Sequence, residues 1–143
     1  MSAATTTLTI VNDLTCLPQV RELVRRGIES GGFPGHYLNR LQIAVDEAVT
    51  NIIEHGYAGV APGRGTITIA LSADRACFRI VIEDDGRSFD PQNLPEVDVK
   101  KHAAAGHTGG LGIFLIRRVM DEIQYNFENG RRNQLVLVKR SGG

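Results

Sequence analysis

Tryptophan is absent from this 143-residue chain, cysteine occurs twice, and neither sign of charge is in excess, with 16 Lys and Arg against 16 Asp and Glu. Each shortage excludes something. Balanced charge argues against wholesale binding to nucleic acid or to an anionic membrane, since both rest on surplus Lys and Arg. A local basic patch is not excluded. No apolar run approaches the ~20 residues that cross a bilayer. The opening residues, Met-Ser-Ala-Ala-Thr-Thr-Thr, lack the basic and apolar regions of a secretory signal, so a soluble cytosolic protein is expected. Cys16 and Cys77 fit no metal-ligand spacing and read as packing thiols. The length suggests one domain, residues 1–143, able to bury roughly 70% of its unfolded surface. Glycine, by contrast, is abundant: 16 residues, about 11% where ordinary usage is about 7%.

The patterning predicts how those residues are arranged. Residues 5–11 alternate β-branched and apolar side chains and read as a strand. Pro18 suits the first turn of a helix bearing Val20, Leu23, Val24 and Ile28, which Gly31-Gly32-Phe33-Pro34-Gly35 stops. A second helix is expected from about His36 to Gly56, with Leu38, Leu41, Val45, Ala48 and Ile52 as its apolar stripe. Residues 66–71 and 76–83 read as two strands joined by Ser72-Ala73-Asp74-Arg75. From Arg87 to about Thr108 periodicity is lost, a length usual for a lid or a disordered segment. Gly109-Gly110-Leu111-Gly112 opens a third helix with a stripe of Leu115, Ile116, Val119, Met120 and Ile123. Two further strands, about 124–127 and 133–139, flank Asn129-Gly130, a hairpin signal. The order β-α-α-β-β-lid-α-β-β implies an α+β sandwich, a mostly antiparallel sheet with helices on one face.

Three segments carry candidate chemistry, each with a plain alternative. Glu47, Asn51 and His55 fall at i, i+4 and i+8, one face of a helix beside its apolar stripe. They would line a cleft, or form an ordinary polar boundary row. In Ile80-Val81-Ile82-Glu83-Asp84-Asp85-Gly86, strand parity puts Asp84 on the face of Phe78, Ile80 and Ile82. A carboxylate aimed into apolar surroundings needs hydrogen bonds. The amino group of a ligand base would supply one, with Gly86 allowing close approach to the backbone; the alternative is a solvated Asp-Asp-Gly turn. In Thr108-Gly109-Gly110-Leu111-Gly112, glycines and free amides at a helix start suit an anion. No βαβ context and no Gly-Lys-Ser/Thr accompany them, so neither a Rossmann fold nor a P-loop is indicated. Lys100, Lys101, His102 and His107, in the expected lid, would neutralise phosphates or be solvated.

Together these segments resemble the GHKL ATP-binding superfamily, above all the small anti-sigma-factor serine kinases of the RsbW and SpoIIAB type. Glu47-Ala-Val-Thr-Asn51-Ile-Ile-Glu-His55-Gly56-Tyr57 is similar to the family's helix motif. Asp84-Asp85-Gly86-Arg87-Ser88-Phe89-Asp90-Pro91 is similar to its Asp-x-Gly segment, and Gly109-Gly110-Leu111-Gly112 with the residues that follow to its glycine segment. The resemblance implies a Bergerat-type sandwich, a mostly antiparallel mixed sheet with three helices on one face and an ATP lid over about 87–109. It implies ATP and Mg²⁺ as cofactors, Asn51 as metal ligand, Asp84 on the adenine amino group and Gly86 beneath the base. Glu47 would be the general base. His55, Ser88, Thr108, Gly109, Gly110, Leu111 and Gly112 would complete the nucleotide site. Two departures stand out: Ser88 where many relatives have a glycine, and Asn133-Gln134 where a threonine near the adenine is expected.

The function so implied is a bacterial cytoplasmic protein-serine kinase. It would phosphorylate a STAS-type anti-anti-sigma antagonist and sequester a sigma factor or equivalent effector, as a homodimer and without direct contact to nucleic acid or membrane. A nucleotide-binding module that sequesters its partner without phosphotransfer is the alternative. Glu47 distinguishes the two, because binding alone needs only Asn51, Asp84 and the glycines. Five of the sixteen glycines, Gly86, Gly106, Gly109, Gly110 and Gly112, fall where a nucleotide and its lid would need them.

Overall fold

The computed structural model of the chain describes residues 4–88, 111–128 and 132–142. Strands β1 (Thr5–Val11), β2 (Thr66–Ala73), β3 (Cys77–Asp84), β4 (Glu122–Glu128) and β5 (Arg132–Arg140) form one sheet in the order β1-β2-β3-β5-β4. All four pairings are antiparallel, so the mixed character expected from the resemblance is not found among the described residues. Period-two alternation sends Ile67, Ile69, Leu71, Phe78, Ile80, Ile82, Leu135 and Leu137 to one face, where each buried aliphatic or aromatic side chain contributes about 1.5–3 kcal/mol.

Three helices cover that face: α1 (Leu17–Gly31), α2 (Leu38–Asn51) and α3 (Leu111–Val119). Their buried stripes, Val20, Val24 and Ile28 on α1, Leu41, Val45 and Ala48 on α2, Ile116 on α3, complete a single core with the sheet. Helix α3 packs along α2, and α1 packs on both α2 and β2. No helix among the described residues is long and apolar enough to cross a membrane.

Two boundaries differ from the sequence expectation. The second helix is α-helical only to Asn51, and Ile52–Gly56 forms a π-helical turn, a local widening that recurs at functional sites. The third helix ends at Val119. Ile123 belongs to β4 instead, because the Asp121 N–H donates to the Val138 carbonyl (2.8 Å) and commits the chain to the sheet. Ile123 still packs against the core from there, which is how a strand residue came to mimic the last step of a helical stripe. The expected lid over 87–109 lies outside the described residues except for Arg87 and Ser88.

Candidate functional site

The site is built where the end of α2 meets the ends of β3 and β5. Pairing register sets Ile67, Asp84 and Asn133 on one rung across β2, β3 and β5. Parity turns all three toward the helices, and Asp84 is 5% exposed and Asn133 fully buried. The solvated-turn alternative for Asp84 is thereby excluded. Its Oδ1 accepts from Asn133 Nδ2 (3.0 Å) and from the Gly86 N–H (2.9 Å), and among the described residues both bonds fall on that one oxygen. Burial pushes the Asp84 carboxyl above the usual carboxylate range, with the Asn133 and Gly86 bonds opposing and the neighbouring Asp85 charge adding to the rise.

On α2, Asn51 and Glu47 lie one turn apart. Asn51 is 3% exposed, and its Nδ2 has no hydrogen-bond partner among the described residues. An unmet buried N–H donor costs about 1–3 kcal/mol, a cost that a bound acceptor such as a phosphate oxygen would remove. Glu47 is half-buried. Desolvation raises its carboxyl above the ordinary glutamate value, and the charges of Asp46 and Glu54 add to this. Asp46 itself pairs with Arg21 Nε at 2.6 Å. His55 follows in the π-helical turn and is exposed, so the expected row of three becomes two sheltered groups and one at the surface.

The two parts are joined by the chain after α2. Gly56, closing the π-helical turn, lies close enough to Asp84 that a Cβ there would sit 3.8 Å from its Oδ1. The Gly56 carbonyl accepts the Arg87 N–H at 2.6 Å. Tyr57, buried behind it, has its hydroxyl 2.5 Å from Asp85 Oδ1 and 3.0 Å from the Thr66 carbonyl, and accepts from the Asp85 N–H. Burial foremost, then the Asp85 carboxylate, holds the Tyr57 phenol far above its ordinary pKa. Gly86 is therefore fixed by this chain itself: a Cβ there would meet the Gly56 carbonyl oxygen at 2.6 Å and the Tyr57 ring at 3.1 Å. That packing is the reason the structure gives for glycine at this position, where the sequence suggested only approach to a base. A cleft of about 520 Å³ opens beside this clasp, lined by Tyr57, Val60, Arg64, Asp85, Arg87 and Ser88 among others.

Ser88 Oγ donates to Asn133 Oδ1 at 2.7 Å, and Asn133 Nδ2 also donates to the Gly86 carbonyl at 2.9 Å. Asn133 is thus a hub; sequence reasoning placed it near the adenine only as a departure from the expected threonine and did not see its partners. Asn12 was missed as well. Its side chain accepts the Gly63 and Gly65 N–H groups, both at 2.9 Å, and donates to Ala61, which pins the 59–65 loop to the end of β1. Leu111 and Gly112 open α3, the helix alongside α2. Thr108, Gly109 and Gly110, and the cations Lys100, Lys101, His102 and His107, lie outside the described residues.

Asn51 fits the expected Mg²⁺ by chemistry: its amide oxygen is a hard donor, and this ion takes one or two protein ligands and completes its shell with phosphates and water. Among the described residues no cluster of three or more His, Cys, Asp or Glu could hold a metal without such help.

Comparison with known proteins agrees with this geometry. The model of a family described as the histidine kinase-like ATPase domain matches residues 10–139. The chain is 34% identical to the serine-protein kinase RsbW of Listeria monocytogenes serovar 1/2a over 109 residues, 73% of this chain and 68% of that protein. It is 36% identical to the serine-protein kinase RsbW of Bacillus cereus over 103 residues, 69% of this chain and 62% of that one. A crystal structure of the RsbU and RsbW domains of a Mycobacterium tuberculosis protein superposes on 96% of the chain with a TM-score of 0.62 and 18% identity. The chain spans 32% of that longer molecule, and the likeness there is one of fold.

Proposed function

The chain belongs to the histidine kinase-like ATPase domain family, and on that premise we propose that it is an ATP-dependent protein-serine kinase. Its substrate is a STAS-type anti-anti-sigma antagonist, and it sequesters a sigma factor or an equivalent effector in the partner-switching manner. The observation that carries this reading is the pair on α2: a buried Asn51 whose unmet Nδ2 donor calls for an acceptor such as a phosphate oxygen, one turn from a half-buried carboxylate raised in pKa. The similarity to proteins named serine-protein kinase RsbW supports the choice of serine as acceptor.

In this mechanism Asp84 would take the adenine amino group, and Asn51 would hold Mg²⁺ through its amide oxygen. When bound, that ion would supply charge neutralisation for the triphosphate. Glu47 orients the seryl hydroxyl and accepts its proton as the Oγ–phosphorus bond forms and the bond between the γ-phosphorus and ADP breaks. Phosphoryl transfer depends mostly on positioning and electrostatics, and a general base adds typically about 10²- to 10⁴-fold. Leu111 and Gly112 at the start of α3, with Thr108, Gly109 and Gly110 before them in sequence, would offer amides to the phosphates. His55 and Ser88 border the nucleotide. The functional unit is proposed to be a homodimer in the bacterial cytoplasm.

Incubation with Mg·ATP and candidate STAS-domain proteins from the same genome, followed by phosphosite mapping, tests the reading. Transfer to a serine of one of them supports it. ATP binding with no transfer to any of them would favour a module that sequesters without chemistry.

A further inference from the structure

We propose that Asn133, anchored by Ser88, fixes Asp84 for base selection, a role that Asn133 fills without contact to the nucleotide. The inference rests on the reading that Asp84 takes the amino group of the base. Asn133 is fully buried, and each polar hydrogen of its amide is spoken for, one by Asp84 Oδ1 at 3.0 Å and the other by the Gly86 carbonyl at 2.9 Å. It therefore has no donor left for a ligand. Asp84 and Gly86 set the orientation of the amide, because the reversed amide would turn its oxygen toward two acceptors; its carbonyl oxygen then accepts from Ser88 Oγ at 2.7 Å, which anchors the other end of the side chain. The chain of contacts Ser88–Asn133–Asp84 thus ties down Oδ1 and turns the remaining carboxylate oxygen into a single fixed acceptor.

A fixed acceptor selects a base with an amino donor at that place. Adenine has one; hypoxanthine presents a carbonyl there and is refused. Selection should then depend on a donor at position 133 and on the serine that anchors it. Valine and threonine are nearly isosteric and differ by one hydroxyl, so the pair Asn133→Val and Asn133→Thr separates donation from packing.

The test is calorimetric titration of the full chain with Mg·ATP and Mg·ITP, for the wild type, Asn133→Val, Asn133→Thr, Ser88→Ala and the double variant Ser88→Ala with Asn133→Val. Expected are a wild-type preference for ATP of at least about tenfold, loss of most of it in Asn133→Val, and partial recovery in Asn133→Thr. Ser88→Ala should reduce the preference in the wild-type background and change nothing further beside Asn133→Val. Equal preference in the Val and Thr variants, or a full ATP preference in Asn133→Val, would overturn the proposal. A wild type that binds ATP and ITP alike would instead overturn the reading of Asp84 on which it rests, so the two failures are distinct. If Asn133→Val does not fold, the Thr and Ser88→Ala variants decide the matter: an undiminished preference in Ser88→Ala refutes the pair.

Discussion

Replacing Asp84 by Asn should invert the base preference of the site. Two N–H donors, Asn133 Nδ2 at 3.0 Å and the Gly86 amide at 2.9 Å, converge on Asp84 Oδ1. An asparagine there must give them its carbonyl oxygen, which turns its NH₂ to the place where the carboxylate oxygen would meet the base. A donor then faces the adenine amino group, while the hypoxanthine carbonyl finds a partner. Loss of a hydrogen bond to a charged group costs about 1.5–3 kcal/mol, so ATP affinity should fall about 10- to 150-fold and the affinity for ITP should rise. Stability should move the other way. Burial holds the Asp84 carboxyl above its ordinary value, so the folded protein retains this proton longer than the unfolded chain. Stability falls as pH climbs from the ordinary aspartate value through the raised one, and the neutral amide removes that fall. Calorimetry with both nucleotides and thermal melting of the free protein at pH 7 would check both parts. Unchanged ATP affinity, or equal loss of both nucleotides together with a lowered melting temperature, would refute the reasoning.

Other perturbations separate the remaining parts of the site. Glu47→Gln should cut phosphotransfer by at least ~10²-fold while ATP affinity holds, as measured by single-turnover transfer beside calorimetry. In the wild type, the transfer rate should rise with pH along a limb centred above the ordinary glutamate value of 4.5, since Glu47 must lose its proton to act, and Asp46→Asn should move that limb down. Asn51→Leu should abolish Mg·ATP binding yet raise the melting temperature of the free protein, because the unmet Nδ2 costs about 1–3 kcal/mol when buried; a lower melting point would show that Asn51 has a structural partner. Gly86→Ala forces a Cβ to within 2.6 Å of the Gly56 carbonyl oxygen and should destabilise the free protein by about 1–3 kcal/mol, seen as a lowered denaturant midpoint without nucleotide.

Much of this was legible in the residues, for reasons of period. Strand parity alone placed Asp84 among Phe78, Ile80 and Ile82, and the i, i+4 spacing placed Asn51 beside the buried stripe of α2. The partners of Asn133 and Asn12 were not legible, because they come from register and loop closure: Asn133 meets Asp84 across β3 and β5, 49 positions away in the chain, and Asn12 reaches Gly65 across 53. Gly86 was noticed for a base it would admit, whereas the atoms that exclude a side chain there belong to Gly56 and Tyr57. Ile123 was misplaced because an apolar residue four positions beyond Val119 fits a helical stripe as well as it fits a strand. The backbone bond from Asp121 to Val138, which decides between them, is a long-range pairing that local pattern does not contain.

The proposed kinase chemistry rests on Glu47 and Asn51. Its most direct test is transfer of the γ-phosphoryl group from Mg·ATP to a serine of a STAS-domain antagonist, followed by mass spectrometry for the wild type and Glu47→Gln side by side. Phosphoserine that accumulates with the wild type and falls by at least ~10²-fold in rate with the variant is the predicted result. Equal phosphorylation by both proteins, or none by a wild type that binds ATP and the antagonist, would contradict it.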